Sequence, residues 1–450
     1  MNFDNLKSAV AAAAALRGLT EYELYYMSDS STSVETLKDE ISSFSSGVSG
    51  GICFRCLFRG KMGYASTELM EESEMEALVD RAVENAEATE KEDTVGIFAG
   101  SPSYERTNAP AFAPMNAADL KALALSIQAE NYKASEKVAD GTQSYAMSAG
   151  VNVRLVNSHG LDLSNAYGLN IVYSEAVVRD GDNSENNFEF EEVKDGFDAA
   201  AFAKKAVLGA EEMLGAGTVA SGKYDMVISA DAMTSLLSAF SSVFSAKNAQ
   251  LGLSMLAGKE GEKIAADIVN ITDDPMREGL PAQTFFDAEG VAARRKSVVE
   301  AGVLKTLLHN RETAEKAGVE STGNASKGGY SAPVAISPYA FFIEPGETSE
   351  KELLALAGNG IFIKGFSGLH AGADAVTGDF SLQSEGFVLE GGKKTRAVKT
   401  FTVAGNFYNL LKDIAAVGNR TEHGVPGGLT VFGAPAVLVR GMSVAGKDND

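Results

Sequence analysis

Tryptophan is absent from this chain of 450 residues, cysteine occurs twice and histidine four times. Proline is sparse at 10 residues, while glycine reaches 46. Positive charge is also in deficit: 39 Lys and Arg against 61 Asp and Glu leave a formal charge of −22. That balance argues against a nucleic-acid binder, because phosphate contact needs concentrated Lys and Arg. No apolar run approaches the ~18 residues that a membrane span requires. The alanine-rich stretch Ala9 to Leu16 is short, is preceded by Asp4 and is stopped by Arg17, so it reads as a packed helix, not a signal peptide. A cytoplasmic protein without nucleic-acid or membrane partners is expected. An apolar share of 45% over this length implies two domains.

The two cysteines form a Cys-x-x-Cys, Cys53 and Cys56. Ile52, Phe54, Cys56 and Phe58 alternate with Arg55 and Arg59, which is a strand pattern. Residues three apart on a strand lie ~10 Å apart and face opposite ways, beyond what a disulfide bridges. With no second pair for zinc, both are expected to be unpaired structural thiols in a reducing compartment. The histidines, His159, His309, His370 and His423, are dispersed. A zinc peptidase wants two on one helical face with a glutamate as base, and no such local motif exists. Phosphate-loop, nucleophile-elbow and dinucleotide signatures are also missing. Asp180 to Ser184 with Glu191 resembles a calcium loop but has Glu185 where the turn glycine belongs, so it reads as an exposed hairpin. Arg294, Arg295 and Lys296 read as an exposed strand rim.

Along the chain, a helix over residues 1–20 precedes strands at Tyr22–Met27, Ser33–Phe44, Ile52–Phe58 and Met62–Ser66, with glycine turns at Gly47–Gly51 and Gly60. Helices are predicted near Leu69–Ala88, Ala117–Val138 and Ala199–Leu214, separated by the loop Gly100–Pro114 and by strands at Ser144–Val156, Ser164–Val178 and Phe188–Val193. A small-residue linker then precedes a strand at Tyr224–Ser229 and a helix capped by Asp231. The fold class is therefore α+β in two domains. Residues 1–217 form an antiparallel sheet with long helices, and residues 218–450 a β-rich, barrel-like domain with short helices.

The stretch GLHAGADAVTGDFSLQSEGF, from Gly368 to Phe387, places a scarce histidine near carboxylates. On a strand, Phe380 and Leu382 face one way while Asp379, Ser381 and Gln383 face the other. Glycines beside such a stripe let a second backbone approach, as in a cleft that takes an extended peptide by strand addition. The simpler alternative is a barrel strand whose polar face meets water. A carboxylate hydrolase using Asp374, Asp379 and Glu385 is a further reading, but no acid–base pairing is visible.

Four ordered blocks carry a family resemblance: FFDAEGVAARRKSVVEAGVLKTLLHNRETAEKAG, STGNASKGGY, VTGDFSLQSEGFVLEGGKKTRAVK and TVAGNFYNLLKDIAAVGN. They resemble the TldD/PmbA family, strongly over residues 220–450, more loosely over the first half, and closer to the PmbA or TldE branch. The resemblance implies a cytosolic zinc metalloprotease system in which TldD and TldE pair as a heterodimer, degrade unfolded peptides and trim leader peptides; an older label is modulator of DNA gyrase. TldD-type members carry His-Glu-x-x-x-His on the first helix of the second domain, and a late cysteine. Here the motif falls on Ser238, Ala239 and Val243, and the late cysteine is missing. The resemblance therefore implies no catalytic residues, no metal ligands and no cofactor in this chain, with zinc in a TldD-like partner. A peptide cleft is expected near Asn324, His370, Asp379 and Ser381. The alternative is a non-enzymatic peptide- or protein-binding regulator acting as a homodimer.

Overall fold

Between Tyr22 and Glu192 nearly every extended residue joins one antiparallel sheet. The computed structural model describes residues 3–90, 92–106, 113–280 and 282–447. Its first half runs α1 (Phe3–Leu16), β1 (Tyr22–Leu37), β2 (Glu40–Phe58), β3 (Lys61–Thr67), α2 (Met75–Ala88), α3 (Ala117–Ala134), β4 (Gln143–Asn157), β5 (Asp162–Asp180), β6 (Asn183–Glu192) and α4 (Ala199–Glu211). The strands lie in the order β3-β2-β1-β4-β5-β6. The turn between β1 and β2 is at Lys38 and Asp39, with Lys38 left-handed at φ 59°. The expected turn at Gly47–Gly51 is thus corrected: those glycines lie inside β2. Side chains on Gly50 and Gly51 would strike Ser28 and Tyr330 at 2.7 Å, so close packing rather than turning explains them.

Strand alternation decides what covers each face. Leu24, Ile52, Phe54 and Cys56 pack beneath Leu6, Val10, Leu78 and Val79 of α1 and α2. Val34, Ala146 and Val172 extend that face beneath α3 and α4. The helices start where sequence chemistry allows: Asn116 and Asp198 accept the first free amides of α3 and α4. On the opposite face Tyr25, Met27, Cys53, Val153 and Leu155 meet Phe285, Phe286, Ala288 and Ala325 from the second half. Cys53 and Cys56 are accordingly buried on opposite faces, and both are free.

The linker reaches the second half by lying against it, with the Gly217 amide donating to Ala397 O and the Lys399 amide to Gly217 O. β7 (Gly222–Ile228) and α5 (Ala230–Phe240) follow. The β-rich part holds a ten-stranded mixed sheet, within which five strands close a ring. β7 pairs with Gly360–Ser367 and Val431–Ala445; Asp379–Glu390 and Lys393–Asn406 complete the circle. α5 packs on this ring through Met233, Leu237 and Phe240, and Phe240 stacks on Phe407 with ring centroids 4.6 Å apart. The α5 cap is Ser229, whose hydroxyl accepts the Ala232 amide, rather than the expected Asp231.

Charge is buried in two places. Asp273 accepts the Tyr339 and Ala340 amides, the Asn324 amide group and the Lys296 ammonium. Lys296 is therefore a buried partner, and the expectation of an exposed rim holds only for Arg294 and Arg295. The second place is the contact between halves. Arg55 on β2 sits opposite Glu23 on β1 and grips it with two bonds, Nε to Oε1 at 2.7 Å and Nη2 to Oε2 at 3.1 Å. Across the contact stand Glu289 and Asp287, both buried. Burial, then the Glu289 charge, pushes the Asp287 carboxyl up to about 7 against three bonds from backbone amides.

Removing one member of a buried pair strands the other charge. Arg55→Met is expected to cost about 3–5 kcal/mol in urea unfolding, and adding Glu23→Leu to recover most of the loss. A second outcome concerns pH. An unfolded aspartate titrates near 4, so up to about pH 7 the folded chain keeps a proton on Asp287 that the unfolded chain has released, and stability falls as pH rises through that window. Relative to Asp287→Asn, the wild type should lose more than about 1 kcal/mol between pH 4 and 7, measured by urea unfolding at constant ionic strength.

Candidate functional site

α5 and the glycine-rich segment meet across a groove of about 570 Å³. One helical face, Thr234, Ser235, Ser238 and Ala239, forms its floor at the i, i+4 spacing that puts residues side by side. Leu369, His370 and Ala373 supply one wall, and Gly424, Val425 and Phe432 the other. The helical turn Leu369–Gly372 presents His370 as an exposed side chain. That turn sits directly on the neighbouring strand: a Cβ at Gly372 would lie 2.5 Å from Ser381 O. The close approach that the glycines permit is therefore made by the chain's own backbone.

The cleft residues named from sequence separate into three locations. His370 lines the groove with Ser238 and Ala239. Asp379 and Ser381 stand on the exposed face of Asp379–Glu390, with Phe380 and Leu382 buried beneath, as the alternation predicts; neither lines the groove. Asp379 Oδ1 accepts the Asn406 side chain at 2.8 Å. Asn324 lies elsewhere, fully buried, bonded to Asp273 Oδ2 at 2.7 Å, to Ser337 O at 3.1 Å and to the Thr322 hydroxyl at 2.7 Å. It serves the interior network. Asp374 accepts the Val376 and Thr377 amides, which hold its carboxyl below the usual range as a turn acceptor.

The groove offers three hydroxyls, an imidazole and apolar walls. His370 is its only ionisable side chain among the described residues. Val243 does not reach it: the residue is buried in the core, in a tight turn after α5. Among the described residues no three His, Cys, Asp or Glu side chains converge to hold a metal. Sequence reasoning missed Ser235, Leu369, Val425 and Phe432, which are joined only by the fold.

Comparison with known proteins adds the lineage. The sequence model of the PmbA/TldA metallopeptidase C-terminal domain matches residues 221–446, and that of domain 1 matches residues 22–86. The chain belongs to the PmbA/TldD metallopeptidase family. A metalloprotease of Methanocaldococcus jannaschii is 27% identical over 85% of this chain and 86% of its own. A proposed modulator of a DNA gyrase from Thermotoga maritima superposes with a TM-score of 0.88 at 29% identity, covering 99% of this chain and all of that one. TldE from Thermococcus kodakarensis, at 21% identity, shares the fold with a TM-score of 0.84 over 98% of this chain and 100% of its own. No helix among the described residues is long and apolar enough to cross a membrane.

A zinc ion of this family does not fit the residues present. At the positions on which the resemblance places the zinc motif, Ser238 offers a neutral hydroxyl, Ala239 a methyl group and Val243 a core isopropyl, none of them a zinc donor. Val243→His would bury an imidazole among apolar neighbours. It should lower stability by about 2–4 kcal/mol in urea unfolding, whereas Ser238→His and Ala239→Glu, which face the groove, should each change it by less than about 1 kcal/mol.

Proposed function

We propose that this chain is the PmbA/TldE-type subunit of a two-subunit peptidase, contributing a peptide-holding surface and leaving zinc chemistry to a TldD-like partner. The observation that carries this is a family scaffold with a formed groove, in which the positions that the resemblance gives to the zinc motif hold Ser238 and Ala239 in the groove and Val243 in the core. Its substrate class is unfolded peptide, in degradation or leader removal. A groove of this size with hydroxyls on one side and Leu369, Val425 and Phe432 on the others suits an extended chain of mixed polarity. The polar stripe of Asp379, Ser381 and Gln383 continues beside it. The setting is cytoplasmic, in keeping with two buried free thiols.

Zinc content and cleavage of an unfolded peptide should be measured for this chain alone and after mixing with the TldD-like protein of its host. The expected result is substoichiometric zinc and no cleavage alone, with cleavage in the mixture. Stoichiometric zinc together with cleavage by the chain alone would overturn the proposal.

A further inference from the structure

A second cavity, of about 590 Å³, shares no lining residue with the groove and lies where β2 and β3 face the second half. Alternation along β2 sends Cys53 and Arg55 to this face, while their neighbours Ile52, Phe54 and Cys56 lie beneath α1 and α2. Glu289 meets them from the second half. It is only 4% exposed, yet it lines the cavity. Its Oε2 accepts the Arg311 amide at 2.9 Å, and among the described residues its Oε1 accepts no hydrogen bond. A buried carboxylate oxygen left open towards a cavity is a costly feature unless something bonds it.

The surrounding charges say what that something is. Arg55 gives its Nε and one Nη2 bond to Glu23, and its charge also acts on Glu289 without a hydrogen bond to it. Lys316 at the rim pairs with Glu312 at 2.9 Å. The Arg311 guanidinium is held behind the cavity wall, donating to the carbonyls of the lining residues Val95 and Gly96 and lying over the Phe98 ring. Asp93 also lines the space, its Oδ1 occupied by the Val95 and Gly96 amides. None of these cations donates a side-chain hydrogen bond to Glu289, which keeps Oε1 free, and among the described residues carboxylates outnumber cations around the cavity, with Glu92, Asp93, Glu289 and Glu312 against Arg55 and Lys316. Val95, Pro333 and Val334 give the walls an apolar lining.

We infer that this cavity binds an organic cation, an ammonium or guanidinium head carried on a short apolar stem, with the head donating to Glu289 Oε1. The volume lies in the range of small-molecule sites, about 300–1,000 Å³. Such a head is found on free amines and on the Lys or Arg side chains and amino terminus of short peptides.

Calorimetric titration of the full chain with cadaverine, agmatine and the tripeptide Lys-Ala-Ala tests the assignment, with glutarate as the anionic control. Binding of at least one cation with Kd below about 1 mM is expected, and no heat from glutarate. Binding by the free amines assigns a small-molecule ligand; binding by the tripeptide alone assigns a peptide. Glu289→Gln should weaken binding about tenfold or more. Ser66→Trp, an exposed residue on the cavity wall, should do so by filling the space without touching the buried charges. No cation binding, equal binding of glutarate, or unchanged affinity in a folded Glu289→Gln chain would overturn the inference. Should that variant fail to fold, unchanged affinity in Ser66→Trp overturns it instead.

Discussion

The bidentate contact between Arg55 and Glu23 sets the terms on which the two halves meet. Both residues are almost wholly removed from water on neighbouring strands, on the sheet face that the second half covers. A buried ion pair returns its desolvation penalty only when geometry is good and other polar atoms are satisfied. That demand fixes the register of β1 against β2 and brings Glu289 and Arg311 within electrostatic range. Apolar contact alone, through Phe285, Phe286 and Ala325, would tolerate sliding; the charges select one arrangement.

The interior of the second half is organised differently. Ring closure by β7 removes the exposed edges that an open sheet would carry. Asp273 then ties the strands outside the ring to the loop carrying Asn324, using four donors on one carboxylate. The groove follows from the ring and from one glycine: the ring supports α5, and the segment 369–373 lies close on the Asp379–Glu390 strand because Gly372 has no side chain to hold it off.

Much of this architecture was legible where side-chain period carries the information. The strand placement of Cys53 and Cys56 on opposite faces, and the exposed stripe at Asp379, Ser381 and Gln383, follow from a period of two. Legibility fails where a residue's role depends on distant partners. Glycine at 47–51 suggests a turn, yet what demands Gly51 is the Thr67 carbonyl on the neighbouring strand and the ring of Tyr330, far along the chain. Lys296 looks like rim until Asp273 is folded against it. Asn324 belongs to a block shared with the family, which drew it towards the cleft, but its amide is needed inside. The cavity at Glu289 has no local pattern at all, since its walls come from five separated stretches.

These observations explain how a scaffold of this family can stay intact with Ser238, Ala239 and Val243 on and after α5. A structural zinc site contributes folding free energy, so its loss would unfold the domain, whereas a catalytic site spends stability on function. Here α5 is held by its Ser229 cap, by Met233 and Leu237 in the core and by the Phe240–Phe407 stack. None of those contacts involves the groove-facing positions 238 and 239. At 243 a valine fills core volume, which a ligating side chain turned towards the groove would leave empty. The helix thus depends on its inward face, while Ser238 and the partly buried Ala239 line the groove. The groove keeps its shape because the ring and the inward face of α5 support it, and its polarity is set by Thr234, Ser235, Ser238 and His370.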